Sequence, residues 1–214
     1  MRSTGGEFPV ARRPTTNKDT ELSVRPLTRD DWPVIEKLFG SNGACGGCWC
    51  MSWRVPRGGE LWAESKGDKN KRAFRKLVTT GKVFGVLAFA GDEPVGWCCV
   101  GPRGDFPRLK RTKALATSWT AETWSVTCFF IRSAWRRKGV ATAMVAEAVK
   151  VARANGAKEL EAYPIRPYTA NVPAAFAWTG VPVLFEKQKF MNVTPPSNSR
   201  PIYRKALRAV RSAK

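Results

Sequence analysis

The spacing of apolar residues changes several times along the chain, and each change marks an element. Leu22-Ser-Val-Arg-Pro26 alternates apolar and polar positions, the period of a short strand. Thr28-Arg-Asp-Asp31 resembles a capping box with Asp in place of the usual Glu. Trp32, Ile35, Leu38 and Phe39 follow at helical spacing and predict a helix over 31–39. A Gly/Cys/Trp-rich loop then runs through 40–59. A second helix is predicted over 70–79, with Phe74 and Leu77 inward and Lys71, Arg72, Arg75 and Lys76 outward. Residues 83–90 are apolar on both faces, Gly91-Asp92-Glu93 turns the chain, and 94–100 returns, which predicts a hairpin with a two-sided core.

A basic loop over 101–121 precedes a strand at 122–131. Val140, Met144, Ala148 and Val151 then lie on one stripe of a helix over 139–155, stopped by Asn155-Gly156. A strand at 159–163, a long loop at 164–180, a short helix opened by Pro182, and strands at 189–193 and 202–207 complete the series. The succession predicts one α+β domain over 21–207, a mixed sheet flanked by helices. Residues 1–20 read as a polar leader and 208–214 as a basic tail.

Charge and composition narrow the chemistry. The chain has 214 residues, 37 Lys and Arg against 17 Asp and Glu, a formal net charge of +20, and no His. The lack of His excludes Ser-His-Asp and Cys-His nucleophile systems and His-ligated metal sites. Any general base must be Asp, Glu, water, or a perturbed Lys, Tyr or Cys. No apolar run in the first twenty residues suits a secretory signal, and 83–90 is too short to span a bilayer. Six cysteines, three of them crowded at 45, 48 and 50, make a poor disulfide framework, so reduced thiols and a cytoplasmic location are expected.

One segment carries the candidate chemistry. The strand ending at Phe129, Phe130 and Ile131 runs into a basic turn, Arg136-Arg137-Lys138, and then a helix begun by Gly139, Val140, Ala141 and Thr142. A helix N-terminus offers unpaired N–H groups and the positive end of its dipole, so an anion fits there. Local physics alone leaves an ordinary strand–helix connection with a solvated charge run as an equal reading.

Arg136-Arg-Lys-Gly139-Val-Ala141 resembles the Arg/Gln-x-x-Gly-x-Gly/Ala motif of the GNAT superfamily of N-acetyltransferases, and the order of elements from about 22 to 207 matches as well. The Cys48-Trp-Cys-Met-Ser-Trp-Arg54, Val95-Gly-Trp-Cys98 and Glu161-Ala-Tyr-Pro164 stretches also look like a branch of that superfamily. The resemblance implies a GNAT-like fold and acetyl-CoA as co-substrate. The pantetheine would pair with the strand at 129–131, and the diphosphate would lie on the N–H groups of residues 137–142. A backbone N–H near Phe130 would polarise the thioester carbonyl, and an amine would attack directly in a ternary complex.

Many family members carry a Tyr in a Leu-Tyr-Glu-Lys-x-Gly-Phe stretch as the acid for the departing thiolate. Here Leu184-Phe-Glu-Lys-Gln-Lys-Phe190 stands in that place, with Phe185 for the Tyr and Lys189 for the Gly. Tyr168 is the candidate substitute. Glu161 and Glu122 are candidate bases, because a carboxylate in or beside an apolar strand needs a reason. The competing reading of Glu161 is a group that faces water or pairs with an Arg.

The resemblance also places Trp49, Trp53 and Arg54 near the acceptor pocket. Cys45, Cys48 and Cys50 supply three ligands where a closed zinc site needs four, so packing is favoured and no metal is expected; a reactive thiol is the third reading. The charge argues for an acceptor of low positive charge, since a positive field repels polycations. It also supports the rival reading, a basic nucleic-acid-binding protein on a decayed acyltransferase scaffold, and a ribosome-associated substrate would satisfy both. No membrane partner is expected, and the chain should be a monomer or homodimer.

Overall fold

A computed structural model describes residues 21–55, 60–166 and 177–207. Its seven strands, β1 (Leu22–Pro26), β2 (Phe84–Ala90), β3 (Glu93–Pro102), β4 (Thr123–Ile131), β5 (Glu159–Ala162), β6 (Met191–Asn192) and β7 (Tyr203–Ala206), form one mixed sheet in the order β1-β2-β3-β4-β5-β7-β6. Every neighbouring pair is antiparallel except β4 and β5. The expected leader and tail lie outside the described residues.

Helices cover both faces. α1 (Trp32–Phe39), α2 (Glu60–Ser65) and α3 (Asp68–Thr79) come before the β2–β3 hairpin. α1 and α3 press Ile35, Phe39 and Phe74 onto Leu87, Trp97 and Cys99. On the other face α5 (Val140–Ala154) packs Val140, Met144 and Ala148 against Val86, Cys98 and Val126. The apolar run in β2 and β3 is explained by this arrangement, since a strand buried on both faces has no polar side. β2 and Trp97 meet closely: a Cβ on Gly85 would fall 2.0 Å from the Trp97 ring, which is fully buried. Ahead of α1, Asp31 accepts from the Thr28 N–H at 2.7 Å and from Arg25 at 2.6 and 2.7 Å, closing the capping box.

The structure departs from the sequence pattern in four places. α2 and the five-residue α4 (Pro107–Arg111) fall in segments read as loop or left unassigned. In α4 only Leu109 is buried, and one apolar residue gives no period to read. α3 buries Phe74 and Val78 while Leu77 is only half-buried. The predicted strand at 189–193 shrinks to two residues, because the turn after α6 (Pro182–Glu186) continues through Lys189, whose φ is +60°. Among the described residues no helix is long and apolar enough to cross a membrane.

Candidate functional site

β4 and β5 pair only as far as Val126 and Ala162, and then part. A bulge between β3 and β4 accompanies the split: Cys99 faces Cys128 and Val100 faces Val126, which leaves Thr127 without an opposite residue. The open edge of β4 is occupied by the chain itself. The Phe129 N–H donates to the Trp178 carbonyl at 2.7 Å, and Arg136 Nε donates to the Ile131 carbonyl at 2.9 Å.

α5 starts beside this edge. Gly139 precedes it at φ +81°, a backbone conformation that favours glycine, and no side chain caps the helix. Among the described residues nothing accepts from the N–H groups of residues 140–142. Arg136, Arg137 and Lys138 are exposed around that end. A cavity of 280 Å³ lies between β4, α5 and α6, with Phe129, Ile131, Ala141, Thr142, Val181 and Lys187 among its walls.

A second cavity, of 310 Å³, lies on the other side of Phe129. Phe39, Trp62, Phe130 and Trp178 supply aromatic walls, Cys45, Cys48, Cys50 and Cys128 supply thiols, and Ser52 and Lys66 supply polar groups. Among the described residues no Asp or Glu lines either cavity. Phe129 belongs to both, and the segment Ala177–Trp178 contributes Ala177 to one and Trp178 to the other. The Phe129–Trp178 hydrogen bond is thus part of the wall between them.

Three of the second cavity's thiols, Cys48, Cys50 and Cys128, are poor nucleophiles. The hydrogen bond with Cys128, together with burial, pushes the Cys50 thiol well up. Burial raises Cys48 and Cys98, and at Cys128 the hydrogen bond with Cys50 lowers the pKa but burial and the neighbouring Cys48, Cys99 and Cys98 thiols together raise it. All six cysteines are free thiols in the structure, and among the described residues no three His, Cys, Asp or Glu side chains are placed to hold a metal ion.

Comparison with protein families matches residues 50–175, more than half of the chain, to the acetyltransferase (GNAT) family. The chain belongs to the GNAT acetyltransferase family. Solved structures agree on the GNAT fold. PaiA N-acetyltransferase from Thermoplasma acidophilum, in complex with coenzyme A, is 15% identical over 87% of this chain and 99% of its own, with a TM-score of 0.50. yncA from Salmonella typhimurium, with its cofactor acetyl-CoA, is 12% identical over 90% and 98%, also at 0.50. Ribosomal-protein-alanine N-acetyltransferase from Brucella melitensis is 15% identical over 86% and 99%, again at 0.50. A comparison with curated proteins finds no match.

Within this GNAT fold the residues singled out in the sequence divide into three groups. Phe129, Ile131, Ala141 and Thr142 meet at the first cavity and Phe130 lines the second, while Arg136, Arg137, Lys138, Gly139 and the core-packed Val140 line neither and lead into the start of α5. Tyr168 lies outside the described residues.

The remaining candidates are relocated. Glu122 is exposed, ion-paired to Lys158 at 2.6 Å, and sits at the far end of β4. Seven extended residues, about 23 Å, separate it from Phe129, too far for a base. Glu161 is fully buried and held by Arg103 Nε at 2.9 Å, by Arg204 Nε at 3.1 Å and Nη2 at 2.5 Å, and by the Tyr163 hydroxyl at 2.6 Å. Its lone pairs are spoken for, so it anchors β5 to β7 and to the loop after β3 instead of accepting a substrate proton.

The acceptor candidates move back one layer. Trp49 is buried against Trp32 and Phe39, both 5.7 Å away between ring centroids. Arg54 lies over the Phe106 ring at 4.6 Å with its side chain 7% exposed. Trp53 donates to the Thr127 carbonyl at 3.0 Å and stands behind Trp178, at 5.7 Å.

The tyrosines carry the same lesson. Tyr163 is bonded to Glu161 and Ser125, and burial and the Glu161 charge raise its pKa far above the ordinary phenol value. Tyr203 is pushed up to about 12 by burial and by its bond to Glu186. Phe185 is fully buried among Phe129, Phe190 and Tyr203 and carries no proton to give.

Sequence reasoning missed Phe39, Ser52, Trp62, Lys66 and Trp178, and favoured packing over a metal or reactive role for Cys45, Cys48 and Cys50. The only local signal for this cavity was the density of Trp and Cys in 45–62.

Proposed function

We propose that this GNAT chain moves an acetyl group from acetyl-CoA to a primary amine by direct attack in a ternary complex. The observation that carries the reading is a pair of cavities that share Phe129 where β4 leaves β5, one of them beside the uncapped start of α5. The co-substrate fits the groups present: unshared N–H donors, exposed cations at 136–138, and an apolar slot along β4.

In this reading residues 137–142 hold the diphosphate, and the main chain of 129–131 pairs with the pantetheine as an added strand would. The Trp178 carbonyl must then give up the Phe129 N–H, which becomes the donor for the thioester oxygen. The amine enters from the second cavity. Its nitrogen forms the C–N bond as the C–S bond breaks, its proton leaves to water, and the thiolate takes a proton from Tyr168. With Glu122 and Glu161 engaged elsewhere, no carboxylate among the described residues is placed as base, and water takes that role.

The charge supports a second, compatible contact: Lys69, Arg72, Arg75 and Lys76 stand exposed on α3, a surface suited to a polyanion such as RNA. The test of the main reading is the release of free CoA with a panel of primary amines of differing charge. Release that depends on the amine supports it; no release above the acetyl-CoA blank with any amine refutes it.

A further inference from the structure

Two guanidinium groups with no carboxylate partner among the described residues meet behind the Ser52 and Trp178 walls of the second cavity, without lining it themselves. Arg108 and Arg200 both lie over Trp53, their guanidinium carbons 5.6 and 5.5 Å from its ring centroid. Arg108 Nη1 donates to the Ser52 hydroxyl at 3.2 Å and to the Ser52 carbonyl at 3.3 Å, and Ser52 lines the cavity. Arg200 Nη2 donates to the Tyr163 carbonyl at 3.1 Å and to the Thr179 hydroxyl at 2.9 Å, next to Trp178 of the cavity wall. Arg200 Nε is buried and has no acceptor at all.

Most other half-buried or buried arginines pair with a carboxylate, although among the described residues the half-buried Arg153 also has none. Arg25 has Asp31, Arg103 and Arg204 have Glu161, and Arg54 has Asp105 at 3.7 Å. Among the described residues Arg108 and Arg200 have no such partner. Two like charges on one indole repel each other, and a buried donor without an acceptor is costly. The ring faces of Trp53 offset part of this through cation–π attraction, and an anion would offset the rest.

We infer that Arg108 and Arg200 form an anion subsite behind the acceptor cavity, and that the acceptor is an amine with an apolar body and a carboxylate. The word acceptor rests on the acetyl-transfer reading above; the subsite does not. The aromatic and thiol walls take the apolar body, and among the described residues Lys66 is the one charged residue on the lining. The same cations serve the chemistry. A positive surrounding favours the neutral form of a bound amine over its ammonium, and the neutral form is the nucleophile. A site that lacks a protein base gains free amine in this way.

The test uses phenylalanine and phenylalaninamide, which share the amine and the apolar body and differ in the carboxylate. Binding is measured by calorimetry on the full chain with acetyl-CoA present, and CoA release is followed in parallel. Phenylalanine is expected to bind at least about tenfold tighter than the amide, the scale of charge-assisted bonds to a carboxylate. Arg108→Gln and Arg200→Gln should each shrink that ratio toward one, and Arg200→Lys should keep part of it.

Removing the Arg200 bonds to Tyr163 and Thr179 endangers folding, so the wild-type ratio and the Arg108→Gln variant stand as independent readouts. Equal or tighter binding of the amide, binding of neither compound, or a ratio unchanged in both Gln variants overturns the subsite. A carboxylate preference in binding with no CoA released from either compound upholds the subsite and refutes the acetyl-transfer reading. Release from the amide at equal or better efficiency does the reverse.

Discussion

Replacing Glu161 by Gln separates a base from an anchor. The substitution keeps the shape of the side chain and one oxygen able to accept from Tyr163, but removes the charge between Arg103, 2% exposed, and Arg204, 23% exposed. Arg103 is then buried with no counter-ion, while Arg204 keeps Glu159 at 3.4 Å. Removing one partner of a buried ion pair costs about 3–5 kcal/mol. The retained oxygen and the partial exposure of Arg204 place this case near the lower end, about 3 kcal/mol.

For a chain of this size each kcal/mol shifts Tm by about 2–4 °C, so Tm should fall by about 6–12 °C. Thermal unfolding followed by calorimetry reads this directly. Turnover measured well below the new Tm, per mole of folded protein, should stay within about threefold of wild type, because the carboxylate touches neither cavity. A loss of turnover of a hundredfold or more with an unchanged Tm would refute the reasoning and return Glu161 to the role of general base.

Three other substitutions or treatments follow from the same contacts. Lys189 occupies a left-handed backbone conformation, and its charge adds to burial in lowering the pKa of Lys205, so Lys189→Gly should stabilise by about 1 kcal/mol and raise Tm by about 2–4 °C; a lower Tm contradicts it. Under reducing conditions a limiting amount of iodoacetamide should label the exposed Cys45 first and leave Cys50, Cys98 and Cys99 unmodified until unfolding, as read by peptide mass spectrometry; labelling of Cys50 at the rate of Cys45 contradicts it. At Asp31 burial opposes ionisation, but the Arg25 and Thr28 bonds outweigh it and hold the carboxyl below its ordinary range. Its folded pKa is depressed, so the stabilisation is fully present above the ordinary carboxyl pKa of about 3.9 and is lost as pH falls through the folded value. Asp31→Asn should therefore cost about 1–3 kcal/mol at pH 7 and progressively less below about pH 4; a cost independent of pH contradicts this.

The elements that local pattern could reveal were those with a strong period or a strong cap. The β2–β3 hairpin, the α5 stripe of Val140, Met144, Ala148 and Val151, and the Thr28–Asp31 box all lie within one short stretch of chain. The strand–turn–helix at 129–142 was legible for the same reason. The second cavity was not, because it is assembled from α1, the 45–66 segment, β4 and the Trp178 turn, which meet only in three dimensions.

Glu161 shows the limit most plainly. A carboxylate in an apolar strand signalled that something must compensate it, but the compensating Arg103 and Arg204 are 58 and 43 residues away. In the sequence they were two among 37 cationic side chains. The Arg108–Trp53–Arg200 arrangement was hidden in the same way.

The most direct test of acetyl transfer at the parted strands is calorimetric titration of acetyl-CoA into the wild-type chain and into Thr142→Trp. Thr142 is half-buried on the wall of the first cavity, so an indole there fills the slot between β4 and α5. The account predicts one acetyl-CoA bound per wild-type chain and binding at least about tenfold weaker in a Thr142→Trp protein of unchanged Tm. No binding to the wild type, or equal affinity in both, would contradict it.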